Sequence, residues 1–271
     1  MSAYETVKLT YHKKVAEICL HRPDKANALN ETMWFEIEAA MRAADAHPEI
    51  RAVVLRSEGP RFCAGIDFEF ITSLMQRVQS LPEGRKQEEM LRVIRSLQQS
   101  FNTIEHSRKP VIAAIQGPCY GGGIDLVTAC DIRHASEDAS FSVKEVDLGI
   151  VADIGTLQRL PTIVGEGVAR EWAFTARTFK ADEAQRRGLI NQLASDHQSL
   201  WQLAHEQAAL IAEKSPLAVR GTKHILNYSR DHGVQNALDY VATWNAGMLL
   251  SLDLNLSIEA MKARQKPVYP D

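Results

Sequence analysis

Residues 109–131 read KPVIAAIQGPCYGGGIDLVTACD, and this stretch decides the fold class. Val111–Ile115 is an unbroken apolar run, as expected of a short strand buried on both faces. The glycines at 121–123 punctuate it, and residues 124–129 then read as a helix. Short strands at 132–135 and 139–143 follow. Upstream, 52–55 is a second wholly apolar strand, and 7–11 and 15–20 are β-rich runs separated by His12-Lys13-Lys14. Asn30 is placed to cap a helix over 31–46, where Met33, Trp34, Ile37, Met41 and Ala44 recur at helical spacing. A Leu81-Pro82-Glu83-Gly84 break precedes a helix expected over 85–105, with Met90, Leu91, Ile94, Leu97, Phe101 and Ile104 on one side. The alternation of strand and helix says α/β. Beyond about residue 195 the pattern turns helical, at 200–213, 215–228, 233–250 and 251–264. The division expected is therefore a core over 1–195 and a helical segment over 196–271.

The 271 residues carry 31 Lys and Arg against 34 Asp and Glu, a formal net charge of −3. No dense basic run offers a nucleic-acid face. The apolar stretches fall far short of the roughly 18 residues that span a bilayer, so no membrane partner is expected. MSAYETVKLTYHKK has the pattern of neither a signal nor a transit peptide, and KPVYPD is no peroxisomal address. Cys19, Cys63, Cys119 and Cys130 lack paired spacing and read as buried thiols in a reducing compartment. A cytoplasmic protein is the expectation.

Familiar catalytic patterns are missing. The nine histidines form no metal-ligand spacing, and no G-x-S-x-G or G-x-x-x-x-G-K-[ST] occurs. The triple glycine is not G-x-G-x-x-G. Two strand-to-helix turns of small residues remain: Cys63-Ala64-Gly65-Ile66-Asp67 and Gly117 through Asp125. Side by side, they could aim two backbone N–H groups at one oxygen, as an oxyanion hole requires. Read alone, they serve equally as packing turns. Asp125, Glu145, Asp147 and Asp153 lie among apolar or small neighbours. An acid so placed is a candidate for a shifted pKa, or else a cap or ion-pair partner.

Taken in order, these motifs resemble the enoyl-CoA hydratase/isomerase (crotonase) superfamily over nearly the whole chain. The resemblance is carried by His21-Arg22-Pro23 with Asn27-Ala28-Leu29, by Phe62-Cys63-Ala64-Gly65-Ile66-Asp67, by Lys109 to Ile115 leading into the glycines, and by Ala129-Cys130-Asp131-Ile132-Arg133. Within it, Asp125, Glu145 and Asp153 match the three acids of the Δ3,5-Δ2,4-dienoyl-CoA isomerases. VKEVDLGIVADIGTLQRLP, SRDH (229–232) and LDYVATWN (238–245) are similar to that subgroup too.

The resemblance implies a spiral of ββα repeats and a C-terminal helical segment that forms trimers, often paired into hexamers. It implies an acyl-CoA substrate, with coenzyme A arriving as part of it, and neither metal nor separate cofactor. The thioester oxygen would sit between the N–H groups of Ile66 and Gly122. Lys25, Ala26, Ala28, Ala64, Gly65, Asp67 and Gly123 would contact the substrate, and Asp125, Glu145 and Asp153 would be catalytic. The implied reaction is isomerisation of 3,5-dienoyl-CoA to 2,4-dienoyl-CoA in fatty-acid β-oxidation, Glu145 working at C2 and Asp153 at C6. Rival readings are a 2-enoyl-CoA hydratase, another acyl-CoA isomerase, and a non-catalytic CoA-binding or RNA-associated scaffold.

Overall fold

Apolar residues that alternate between two cores place the main sheet in the middle of the molecule. The computed structural model describes residues 4–270. Strands β1 (Val7–His12), β2 (Val15–Leu20) and β3 (Ala52–Ser57) are followed by β4 (Val111–Ile115), β5 (Pro118–Tyr120), β6 (Ile132–Ser136), β7 (Ser140–Ser142), β8 (Phe179–Lys180) and β9 (Gln192–Ala194). Six form one sheet in the order β1-β2-β3-β4-β6-β9, parallel except for the β1–β2 hairpin. The other three form a small sheet, β5-β7-β8.

One face of the large sheet presents Ile18, Val53, Leu55, Val111, Ala113 and Ile115. They meet α1 (Glu31–Ala46), and α1 packs in turn on the buried stripe of the long helix α3 (Glu83–His106). Asn30 caps α1 through its side chain, which accepts from the Met33 N–H, and the expected stripe from Met33 to Ala44 is buried throughout. The opposite face presents Val15, Ala52, Val54, Ile112 and Ala114 to α8 (His197–Ala212). Ala204, Ala208 and Ala212 recur every four residues there, so the helix axis can approach the strands closely. Thus α8, expected within the helical segment 196–271, is the cover of the sheet's second face.

The remaining helices are α2 (Phe68–Gln79), α4 (Gly122–Thr128), α5 (Thr156–Val164), α6 (Glu166–Thr175), α7 (Ala181–Arg186), α9 (Pro216–His232), α10 (Val234–Met248) and α11 (Leu252–Ala263). Between the turn at 63–67 and the break at 81–84, where the sequence reading placed no element, the chain folds as α2. Ile71, Leu74, Met75 and Val78 recur there at helical spacing, a stripe passed over in the sequence, although only Phe70 and Val78 of α2 are fully buried. On α3 the buried apolar residues are Val93, Leu97, Phe101 and Ile104, whereas Leu91 of the expected stripe is exposed. The first turns of α3 project beyond the core.

Lys223 ties α9 to this frame. Its buried ammonium donates to the carbonyls of Ile104 and Lys109 at 3.1 Å each and to Asp131 Oδ2 at 2.7 Å. The same Asp131 oxygen accepts the Val111 N–H that opens β4. Removing one member of a buried pair strands the other. Lys223→Ala is therefore expected to lower stability by roughly 3 kcal/mol, read as a fall in the urea midpoint with unchanged slope.

Candidate active site

Arg22 and Asn27 build the first turn of the site. The Asn27 side chain is fully buried, donating to the carbonyls of Glu58 and Arg61 and accepting the Arg22 N–H. Arg22 reaches the Ala28 carbonyl and Asp67 Oδ2. These contacts zip residues 26–29 onto 64–67: Ala64 N–H to Ala26 O, Leu29 N–H to Gly65 O and Asp67 N–H to Leu29 O. The pattern leaves the Ile66 N–H on the other side of its strand.

The second turn runs beside the first through parallel backbone pairing of Cys63 with Cys119 and the Tyr120 N–H bond to Cys63 O. Gly121 then turns with φ +50°, a region open to glycine at little cost, and starts α4. Among the described residues, neither the Ile66 nor the Gly122 N–H has an acceptor within the protein. The two lie close together. A methyl group built on Gly122 would stand 3.9 Å from the Ile66 nitrogen, and one on Gly65 would stand 3.7 Å from the Gly122 nitrogen. Two unspent donors at the start of a helix is the arrangement that receives a developing negative charge.

Both donors border a cavity of about 290 Å³. Asp125, Glu145 and Asp153 line it together with Ala64, Gly65 and the apolar Trp34, Phe68, Leu148, Ile150 and Ile154. All three acids expected to be catalytic thus share one chamber. Asp125 projects from α4, is 2% exposed, and accepts the Thr156 N–H at 2.7 Å. Burial pushes its pKa up to about 6; the Thr156 hydrogen bonds oppose the rise and the nearby charge of Asp153 adds to it. Glu145 begins a 3₁₀ turn, Glu145–Leu148, with Oε1 against Gly121 and Oε2 buried without a protein partner. Desolvation, then the charges of Asp125 and Asp153, push it up to about 7. Asp153 stands exposed at the rim, its pKa also raised by partial desolvation.

Other expected contacts fall differently. Lys25 is exposed and paired with Glu69, while Ala26 and Ala28 form the turn beside the cavity. Asp67 is spent on Arg22 and on capping α2 through the Glu69 N–H, so it lies behind the lining. Gly123 packs on Cys63 and Cys119 and is likewise behind it, because a side chain there would meet their atoms at 3.1–3.2 Å. Asp147 lines the chamber and pairs with Lys144 at 2.9 Å. Trp34 reads in the sequence only as part of the buried stripe of α1, and Phe68, Leu148, Ile150 and Ile154 went unread as the wall of a cavity, because scattered apolar residues at a helix end and in loops do not announce a shared face. All four cysteines are buried and free.

Residues 10–270 match the sequence model of the enoyl-CoA hydratase/isomerase family, and the chain belongs to that family. It is 45% identical to the peroxisomal Δ(3,5)-Δ(2,4)-dienoyl-CoA isomerase of Arabidopsis thaliana, over 99% of this chain and 98% of that protein. It is 44% identical to the mitochondrial Δ(3,5)-Δ(2,4)-dienoyl-CoA isomerase of Homo sapiens, over 95% of this chain and 79% of that protein. A crystal structure of enoyl-CoA hydratase from Bacillus anthracis superposes with a TM-score of 0.88 at 29% identity, covering 98% of this chain and 99% of that one. The expected spiral architecture is the fold of this family.

The relatives overturn the expectation of a cytoplasmic protein, for they are peroxisomal and mitochondrial. Charge balance, buried thiols and short apolar runs describe the solvent a chain folds in; an organelle interior satisfies them equally well.

Burial disfavours ionised Asp125, so its contribution to stability is full below the ordinary carboxylate range and is lost as pH climbs through about 6. Asp125→Asn keeps an acceptor for the Thr156 N–H without the charge. Its stability relative to the parent chain should therefore improve between pH 4 and pH 8 by roughly 3 kcal/mol, measured by urea denaturation across that range.

Proposed function

We propose that this chain is an isomerase that converts 3,5-dienoyl-CoA to 2,4-dienoyl-CoA. The observation that carries the reading is one apolar chamber holding two unspent backbone donors and, apart from them, Glu145 and Asp153. The names of the relatives at 44–45% identity point the same way.

The substrate's thioester oxygen would accept from the Ile66 and Gly122 N–H groups. Glu145, as carboxylate, takes a proton from C2; the C–H electron pair enters the conjugated system, and the negative charge spreads from the thioester oxygen to C6. Preorganised donors lower the barrier because that charge exists only after the proton leaves, and one such donor is typically worth about 10²–10³ in rate. Asp153, as acid, then delivers a proton to C6, and the double bonds come to rest at C2 and C4. Glu145 ends protonated and Asp153 ionised, and exchange with solvent resets both. Proton removal and return occur four carbons apart, which is why two carboxyls are needed. Asp125, pinned by Thr156, contributes the fixed charge that keeps Glu145 basic. The scheme calls for no metal and no cofactor beyond the coenzyme A of the substrate.

A 2-enoyl-CoA hydratase would use Glu145 on water and would leave Asp153 without a task. The exposed Leu226, Val234, Leu238, Leu249, Leu250 and Met261 of the C-terminal helices and the linker between two of them supply apolar surface for a trimer or a pair of trimers.

The deciding assay follows absorbance of the conjugated 2,4-dienoyl thioester formed from a 3,5-dienoyl-CoA, with a 2-enoyl-CoA control for hydration. Conjugation should be rapid and hydration slow, and Asp153→Asn should reduce conjugation by about 10²–10⁴-fold. Hydration without conjugation would establish the hydratase instead. Because Glu145 must be ionised while Asp153 carries its proton, kcat/KM should rise and then fall with pH, a bell-shaped profile, and be lost in Glu145→Gln. Light scattering on the purified protein should give three or six times the chain mass.

A further inference from the structure

The proposed acid at C6 sits on a loop, and loops place side chains less accurately than helices do. The segment 153–156 is nevertheless fixed at three of its four residues. Gln98 of α3 donates its Nε2 to the Asp153 carbonyl at 2.6 Å. Arg159 of α5 donates Nη1 to the Ile154 carbonyl at 3.3 Å. The Thr156 N–H is taken by Asp125 at 2.7 Å. Between them Gly155 adopts φ +130°, and a Cβ there would fall 1.8 Å from Arg159 Nη1, so the loop is shaped around that guanidinium.

Arg159 is itself held hard. Nε and Nη2 reach Glu105 Oε2 at 3.1 and 2.9 Å, and Nη2 reaches Asn102 Oδ1 at 2.6 Å. Glu105 in turn takes Arg230 of α9. The residue is 9% exposed, so water has little access to replace these bonds. Arg159 and Gln98 line a second cavity of about 360 Å³, and the segment 153–155 lies between it and the chamber with the acids.

Resting on the isomerase reading, we infer that Arg159 and Gln98 are positioning residues that aim the Asp153 carboxyl at C6. They grip the peptide planes on either side of Ile154 from the rear, and thereby fix the direction of the Asp153 Cα–Cβ bond. Neither touches Glu145 or the two N–H donors, so proton removal at C2 does not depend on them. Displacement of a reacting group by about 1 Å can cost up to about 10²-fold in rate. That cost should fall on the second proton transfer alone.

The test runs the reaction in D₂O and measures two rates on the same sample: deuterium entry at C2 of the recovered substrate, and formation of the conjugated product. Their ratio is independent of how much of a variant is folded. Gln98→Met keeps the side chain's length and removes its donor. Arg159→Lys keeps the charge beside Glu105 and loses the fork. In each variant the ratio of exchange to isomerisation should rise about tenfold, through a lower kcat with KM within twofold. A rise in either variant supports the residue it replaces. An unchanged ratio in both overturns the inference while leaving the isomerase reading intact. No isomerisation by the unaltered chain overturns both.

Discussion

Everything in the site depends on the lateral pairing of two turns whose paired residues, Cys63 and Cys119, are 56 positions apart in the chain. Leu29 accepts and donates across to residues 65 and 67, and Cys63 is bonded in its turn to the strand ending at Tyr120. Each of these bonds consumes a neighbouring backbone group and leaves the Ile66 and Gly122 N–H groups facing the same space. A buried donor left unmade is costly. Here the two N–H groups border the cavity, and in the proposed reaction the substrate's thioester oxygen is their acceptor.

The carboxyls obey the same logic with the sign reversed. Chambers lined by Trp34, Ile150 and Ile154 disfavour ionised oxygen, and three acids near one another disfavour it further. The outcome is a set of groups with raised pKa values, Glu145 at about 7 and Asp125 at about 6. Stability is lost where chemistry is gained. Hydrogen bonds such as that from Thr156 to Asp125 limit the loss.

Much of this was legible in the residues. Val111–Ile115 and the triple glycine announce a buried strand entering a helix, and Asn30 marks the start of α1 to the residue. The acids at 125, 145 and 153 stand out because they interrupt apolar text. The wall of the chamber did not stand out. Phe68, Leu148 and Ile150 are exposed apolar residues on loops or helix ends, where no repeat distinguishes them. Helix α2 was legible, in Ile71, Leu74, Met75 and Val78 at helical spacing, but the polar residues between them drew the reading instead. Arg22 and Asn27 were visible as part of a motif, but their work is to spend hydrogen bonds on distant carbonyls, and that is seen only once the chain is folded.

The alanine seam of α8 bears on the order in which the molecule can form. Every residue that lines the chamber has been synthesised by position 154, yet one face of the central sheet stays bare until residues 197–212 emerge. A nascent chain that has finished its catalytic half is therefore not yet able to hold it. Val15, Val54 and Ile112 stay in water until a helix more than forty residues further on arrives to cover them. The core that supports the site is completed by a segment that contributes no residue to the chamber.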